Sequence, residues 1–305
     1  MALKRQISNV PVTCASRAGL TLRGKPSLGI AMLPTTTHYP VAPEQLPPID
    51  RTAGSYRLRF GRTSEDLVTV QRLRFDIFNR ELGEGLHASW STGLDADPWD
   101  TIFHHIVIEH LPTGAVVGSY RLQTGDMAEQ YGGFYSEAEF DLQRLPRDVL
   151  RDSVEIGRAC VDARHRNGRV IHLLWRGIAG YLQWNAKGYL FGCCSLPTVD
   201  PAVGAAAWRQ LKFENFMSRR YSVAPQRGQG FDVRTAGAGE LRRNELPPLF
   251  QSYLNLGAEV CGPPAIDAEF GTIDFLVLLD LARLDEQTRK TFFRDLPVPA
   301  MPRSA

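Results

Sequence analysis

The chain has 305 residues, is 43% hydrophobic and carries a formal net charge of +2. That is enough apolar chain for one large domain with appendages, and too balanced a charge for a nucleic-acid binder held by phosphates. No stretch approaches ~20 uninterrupted apolar residues, so neither a spanning helix nor a signal peptide is expected, and the protein is expected in the cytoplasm.

Residues 1–54 are expected to form a disordered, basic, Pro-rich tail. Before Glu44 it contains Lys4, Arg5, Arg17, Arg23 and Lys25 but no Asp or Glu. Such a tail is either a leader without a role or a segment drawn to an anionic membrane surface on the cytoplasmic side. Order is expected to begin near Ser55, where residues 56–60 alternate as a strand. Ser64 offers an N-cap to a helix running to Arg80, with Leu67, Val70, Ile77 and Phe78 on one side and Arg74 among them. A polar loop over 87–101 holds Asp95, Asp97, Pro98 and Asp100. Residues 103–109 and 115–123 predict a hairpin closed by Pro112-Thr113-Gly114.

A short helix precedes a strand over 153–161, and a basic turn opens a helix over 170–187 that Gly188 ends. A buried strand over 189–195 follows directly. Further helices are expected over 201–216, 246–257 and 285–296, a strongly apolar strand over 274–281, and irregular chain over 231–245. The order strand, helix, hairpin, strand, helix, strand marks a mixed α/β core over 55–225, with an α/β extension over 226–305 packed on it. Cys14, Cys160, Cys193, Cys194 and Cys261 form no CxxC pair and no zinc-ligand spacing, so reduced thiols and no bound metal are expected.

The stretch richest in chemistry is Val154-Glu155-Ile156-Gly157-Arg158-Ala159-Cys160-Val161 with the turn Arg164-His165-Arg166-Asn167-Gly168-Arg169. A strand bearing a carboxylate and an arginine, feeding a basic turn at a helix start, joins a candidate base to an anion site. Helix N-termini hold phosphate through free N–H groups and the helix dipole, and Arg164, Arg166 and Arg169 add charge.

Glu155-Ile156-Gly157-Arg158 with its helix, preceded by Gly118-Ser119-Tyr120-Arg121-Leu122 and by the segment from Gly132 to Leu142, resembles the GNAT acyltransferases that make lyso-ornithine lipid. The segments Leu246-Pro247-Pro248-Leu249, Tyr253-Leu254-Asn255-Leu256-Gly257-Ala258 and Ala265-Ile266-Asp267 are similar to the same ornithine acyltransferases and to proteins labelled hemolysin-like. A more distant likeness is to acyl-homoserine lactone synthases. Their functional pattern maps onto Arg74 and Phe78 on the first helix, Asp97 and Asp100 in the loop, Arg121 on a strand, and Glu155 with Arg158.

The resemblance implies a GNAT fold, a mixed central sheet flanked by helices, with no bound cofactor. It implies transfer of a long-chain (3-hydroxy)acyl group from acyl carrier protein to the α-amine of an amino acid, ornithine first. The pantetheine turn is His165-Arg166-Asn167-Gly168-Arg169-Val170, where acetyl-CoA enzymes place a small residue at the last position. A single phosphodiester tolerates that loss better than the pyrophosphate of CoA, which favours the carrier protein over CoA; Arg164, Arg166, Gly168 and Arg169 are its expected contacts. Glu155 is the expected base, and Arg121 and Arg158 position it or the substrate carboxylate. A backbone N–H near 156–158 would hold the oxyanion.

Plainer readings stand beside these. Glu155 and Arg158 also fit an ion pair, Asp97 and Asp100 also fit turn formers, and Arg74 also fits a snorkelling side chain. Cys160 as an acyl-accepting thiol and His104 or His105 in a triad are weaker alternatives, and Trp175 reads as packing. The last helix either docks on the core or lies on a membrane.

Overall fold

The computed structural model describes residues 38–83, 85–237 and 243–298. The basic residues of the tail, Lys4 to Lys25, lie outside these. Its end does not: Val41, Ala42 and Leu46 are buried, and β1 (Asp50–Ala53) pairs with β2 (Tyr56–Phe60). The expected boundary at Ser55 therefore moves toward the N-terminus. Buried His104 pins this segment by bridging the Val41 carbonyl at 2.7 Å and the Tyr181 hydroxyl at 2.8 Å. Burial pushes its pKa down to about 4, so it is a neutral strut rather than a triad member.

Helix α1 (Ser64–Arg74) starts one residue earlier than a Ser64 cap would place it. Thr63 is the N-cap, and its side chain exchanges hydrogen bonds reciprocally with Asp66. The helix continues as a π-helical turn, Phe75–Leu82, ended by Gly83 in the left-handed region. The hairpin is present as β3 (His104–His110) and β4 (Ala115–Thr124), followed by α2 (Gly125–Tyr131) and α3 (Arg147–Arg151). Then come β5 (Ser153–Val161), α4 (Gly168–Trp184), β6 (Tyr189–Leu196) and α5 (Pro201–Phe213). The chain closes with α6 (Pro248–Asn255), β7 (Glu259–Val260), β8 (Ala265–Asp267), β9 (Thr272–Asp280) and α7 (Glu286–Phe293).

All nine strands form one sheet in the order β1-β2-β3-β4-β5-β6-β9-β7, with β8 also on β9. Among the described strands only β5 and β6 run parallel. Because β9 pairs with β6 from Ile273 to Asp280, the described residues of the C-terminal segment do not sit on a finished core. They complete the sheet: every residue of β9 is buried. The α4 face packs Trp175 against Tyr253 of α6 and Phe292 of α7, so the last helix is docked.

Two irregularities open the middle of the sheet. On β5, two residues stand between Gly157 and Cys160, the partners of Arg121 and Ser119, where β4 supplies only Tyr120. Arg158 in this bulge has φ +49°, a left-handed conformation that costs a non-glycine residue about 1 kcal/mol. On its other side β5 pairs with β6 only through Ser153, Val154 and Glu155, and the two strands part beyond. Gly192 marks the parting point, since a Cβ there would lie 2.3 Å from the Ile156 carbonyl oxygen.

If the C-terminal strand is part of the core, truncating fully buried Phe275 should destabilise the whole protein rather than a peripheral unit. Phe275→Ala should cost about 3–5 kcal/mol and leave one cooperative transition in urea. Separate transitions followed by fluorescence and circular dichroism would show that the extension folds alone.

Candidate active site

Where β5 and β6 part there is a cavity of about 320 Å³ lined by Glu155–Ala159 on one strand and Leu190–Ser195 on the other. Much of its lining is apolar, with Phe250, Tyr253, Ala258, Val277 and Leu279 contributed by the C-terminal segments. Its polar side carries Arg121, Arg158, Ser136, Glu139, Glu155 and Asp274. An apolar chamber with a few convergent polar groups is the usual form of a ligand site.

Glu155 is 2% exposed, and both its oxygens are held. The Tyr135 N–H donates to Oε2 at 2.8 Å, and Ser136 donates to Oε1 through its N–H at 2.7 Å and its hydroxyl at 2.5 Å. Burial raises its pKa, and the Ser136 and Tyr135 donors and Arg121 only partly oppose that rise. The carboxylate is fixed in direction yet more basic than an exposed one. The alternative reading of Glu155 and Arg158 as an ion pair is not met. Arg158 instead meets Asp97, Nη2 to Oδ2 at 3.1 Å, and its guanidinium lies 4.1 Å from the Phe270 ring centre and 5.3 Å from that of Tyr135.

Behind the cavity lies a buried charge network. Arg74 donates to Asp95 through Nε at 2.8 Å and to Asp100 through Nη1 at 2.6 Å. Arg121 donates to Asp97 at 2.7 Å and to Asp100 at 3.2 Å. Gln71 adds a donor to Asp100 at 3.0 Å. Burial would raise both carboxyls, but Arg74, His105 and Arg121 hold Asp100 well below the ordinary value, and Arg121 and Arg158 hold Asp97 below it. Asp97 and Asp100 also cap the short turn Pro98–Thr101, as the turn-former reading expects.

The matched residues are therefore brought together, but not all on one surface. Phe78, Arg121, Glu155 and Arg158 line the cavity. Arg74 and Asp100 are sealed behind it with no exposure, which corrects both the snorkelling reading of Arg74 and the expectation that these two touch substrate. Arg164, Arg166, Gly168 and Arg169 lie outside the cavity lining. Arg164 pairs with Asp162 and Arg166 with Glu81, and Asn167 caps α4 by accepting from the Arg169 and Val170 N–H groups at 3.1 Å. Cys160 is buried and its thiol pushed up to about 12, which disfavours a thiolate nucleophile.

The pattern of matches missed Asp95, Tyr135 and Ser136, which hold Arg74 and Glu155. It also assigned nothing to Glu139, Asp267 and Asp274. Asp95 had a signal, as one of three aspartates in six residues. Tyr135 had none, because its hold on Glu155 lies in a backbone N–H.

A family model described as an acetyltransferase (GNAT) domain matches residues 73–176. An L-ornithine N(alpha)-acyltransferase of Brucella abortus is 33% identical over 248 residues, covering 77% of this chain and 87% of that one. The chain belongs to the L-ornithine Nα-acyltransferase family. A relative of the same name from Rhodobacter capsulatus is 30% identical, covering 79% of this chain and 95% of that one. Membership makes the chain an N-acyltransferase of GNAT type. The acyl-homoserine lactone synthase LasI aligns with 12% identity and a TM-score of 0.42 over 80% of this chain and 98% of that one, too distant a likeness to bear on chemistry.

Removing one partner from a buried ion network leaves the others uncompensated. Arg74→Ala should therefore destabilise this acyltransferase by about 3–5 kcal/mol although Arg74 lies outside the cavity. Because the Asp97 and Asp100 pKa values are depressed, the network's contribution is full above the unfolded value near pH ~4 and is lost as pH falls below it. Urea unfolding between pH 3 and pH 7 measures both: the wild type should lose stability at the acid end, and the variant should lose less. An unchanged midpoint for Arg74→Ala at pH 7 would remove the network from the account of stability.

Proposed function

We propose that this acyltransferase moves a long-chain, 3-hydroxylated fatty acyl group from acyl carrier protein to the α-amine of ornithine, with Glu155 as the base. The observation that carries the reading is Glu155 itself: a buried carboxylate of raised pKa, held in one direction, at the parting of β5 and β6 beside an apolar chamber. The relatives' shared name supports ornithine as acceptor.

In this scheme the neutral α-amine attacks the thioester carbonyl carbon, and its proton passes to Glu155 directly or through a water. The N–H groups of the 156–158 stretch, where β5 has left β6, are suited to hold the oxyanion. The C–S bond then breaks, and the pantetheine thiolate leaves with the proton from Glu155. Arg121 and Arg158 position the acceptor's carboxylate from the cavity wall, already oriented by Asp97. The apolar residues of α6 and β9 take the acyl chain.

Carrier protein is favoured over CoA because the α4 N-terminus has few amides to give. Asn167 occupies two of them, and Val170 fills the position where a small residue would admit a pyrophosphate. The exposed guanidinium of Arg164 suits an acidic carrier surface. No helix among the described residues is long and apolar enough to cross a membrane, so delivery of an amphiphilic product would occur peripherally on the inner leaflet.

Purified protein given 3-hydroxyacyl carrier protein and L-ornithine should yield a product of the mass of N-acylornithine, with little from the matching acyl-CoA. Product from CoA alone would reverse the donor assignment. Glu155→Gln should lower kcat about 100- to 10,000-fold. An amide nitrogen there would face an N–H donor, so the melting temperature should be read beside the rate. In the wild type, kcat/KM should climb with pH as Glu155 loses its proton, through a pKa above the ordinary carboxylate value. A flat profile across that range would exclude Glu155 as the base.

A further inference from the structure

Glu139, Asp267 and Asp274 also line the cavity, and none of them belongs to the arginine network. One carboxylate oxygen from each lies within 4.8 Å of the other two. They come from separate parts of the chain: Glu139 follows the short turn Tyr135–Ala138, Asp267 ends β8 and Asp274 lies on β9. Contacts link the cluster to Glu155. The Glu139 carboxylate is 3.8 Å from Cys193 Sγ, that sulfur is 3.6 Å from Ser136 Oγ, and the Ser136 hydroxyl donates to Glu155.

Glu139 is 4% exposed and Asp274 3%. Asp274 accepts from the Thr272 hydroxyl through Oδ2 at 3.3 Å, while its Oδ1 is buried with no hydrogen-bond partner. Among the described residues no Lys or Arg pairs with any of the three. Burial, followed by the charges of Asp274 and Asp267, pushes the Glu139 carboxyl well above its ordinary value, and burial also raises Asp274. Three carboxylates facing one another inside a protein are costly unless a cation joins them. Half-buried Asp267 accepts the Glu269 and Phe270 N–H groups, and what is left uncompensated at buried Glu139 and Asp274 calls for a proton or a ligand in the cavity.

An ammonium group fits the arrangement better than a metal ion. It presents three N–H donors to three carboxylates and needs no further ligands, whereas Mg²⁺ or Ca²⁺ seeks six or more oxygens. We infer that Glu139, Asp267 and Asp274 receive the side-chain ammonium of the acceptor, selecting diamino acids over neutral amino acids of the same length. This rests on the reading in which an amino acid's α-amine is acylated beside Glu155. It also accounts for the choice of nitrogen. A side-chain amine with a pKa of about 10.4 is held protonated by the three carboxylates and cannot attack, while the less basic α-amine yields its proton to Glu155.

The test compares L-ornithine with L-norvaline, which has the same chain without the δ-amine, using the same acyl carrier protein and the full chain. The wild type should favour ornithine by about 100-fold or more in kcat/KM, and Asp274→Asn and Glu139→Gln should each cut that ratio at least about 10-fold, chiefly through the KM for ornithine. Ornithine should also raise the melting temperature of the wild type while norvaline does not. The substrate comparison needs no variant, so a poorly folding mutant leaves the inference open to refutation. If ornithine is acylated but norvaline serves equally well, or both variants keep the wild-type ratio, the inference falls and the proposed function stands. If ornithine is not acylated at all, both fall. If EDTA abolishes the preference and Mg²⁺ or Mn²⁺ restores it, the cluster holds a metal and the ammonium assignment is overturned.

Discussion

The buried network of Arg74, Arg121 and Arg158 with Asp95, Asp97 and Asp100 is the constraint on which the rest of the site depends. Taking an ion out of water costs several kcal/mol, and only well-placed partners offset that cost. The three arginines come from α1, β4 and β5, and the three aspartates from one loop. None of these elements can shift without stranding a charge on another. That is why an irregular loop can be packed without exposure at Asp95 and Asp100, and why Arg158 is held in a left-handed conformation that it would not adopt alone.

The network reaches the cavity through Tyr135. The guanidinium of Arg121 lies 4.9 Å from its ring centre and that of Arg158 5.3 Å away, while the Tyr135 N–H donates to Glu155. Two cations over one ring fix the tyrosine, and the tyrosine fixes the short turn whose amides hold the carboxylate. The bulge at Arg158 and the parting at Gly192 then open the space that Glu155 faces. The C-terminal strand closes this space with Val277 and Leu279, so the chamber requires residues far along the chain from the GNAT-matched segment.

Periodicity made much of this legible. The strand at 56–60, the hairpin, the 153–161 strand and the helix beyond the basic turn all follow from alternation and apolar spacing, because each presents a single face to the core. A familiar order of motifs singled out Arg74 and Arg121, but not that Arg121 lines the cavity while Arg74 lies behind it. That depends on which side of the cavity wall each guanidinium ends, and spacing along a helix does not encode it. The 38–54 segment was missed because its order comes from His104 and β2, contacts made over long sequence separations. The carboxylates of Glu139, Asp267 and Asp274 lie far apart in sequence and converge only when β8 and β9 are laid down.

The pairing of the arginines also decides what Glu155 can be. A guanidinium bound directly to that carboxylate would depress its pKa and make it a weak base near neutral pH. Instead the aspartates take the arginines: Arg158 turns to Asp97, and Arg121 divides itself between Asp97 and Asp100. Three positive and three negative groups balance, and what dominates at Glu155 is burial, tempered by a hydroxyl, two amides and the charge of Arg121, so its pKa rises. The aspartates thus hold both cations at the cavity wall without letting either bind Glu155, which leaves that carboxylate suited to the base role proposed for it. Replacing Asp97 would free Arg158 and Arg121 to turn on Glu155, which places the influence of that loop on basicity as much as on binding.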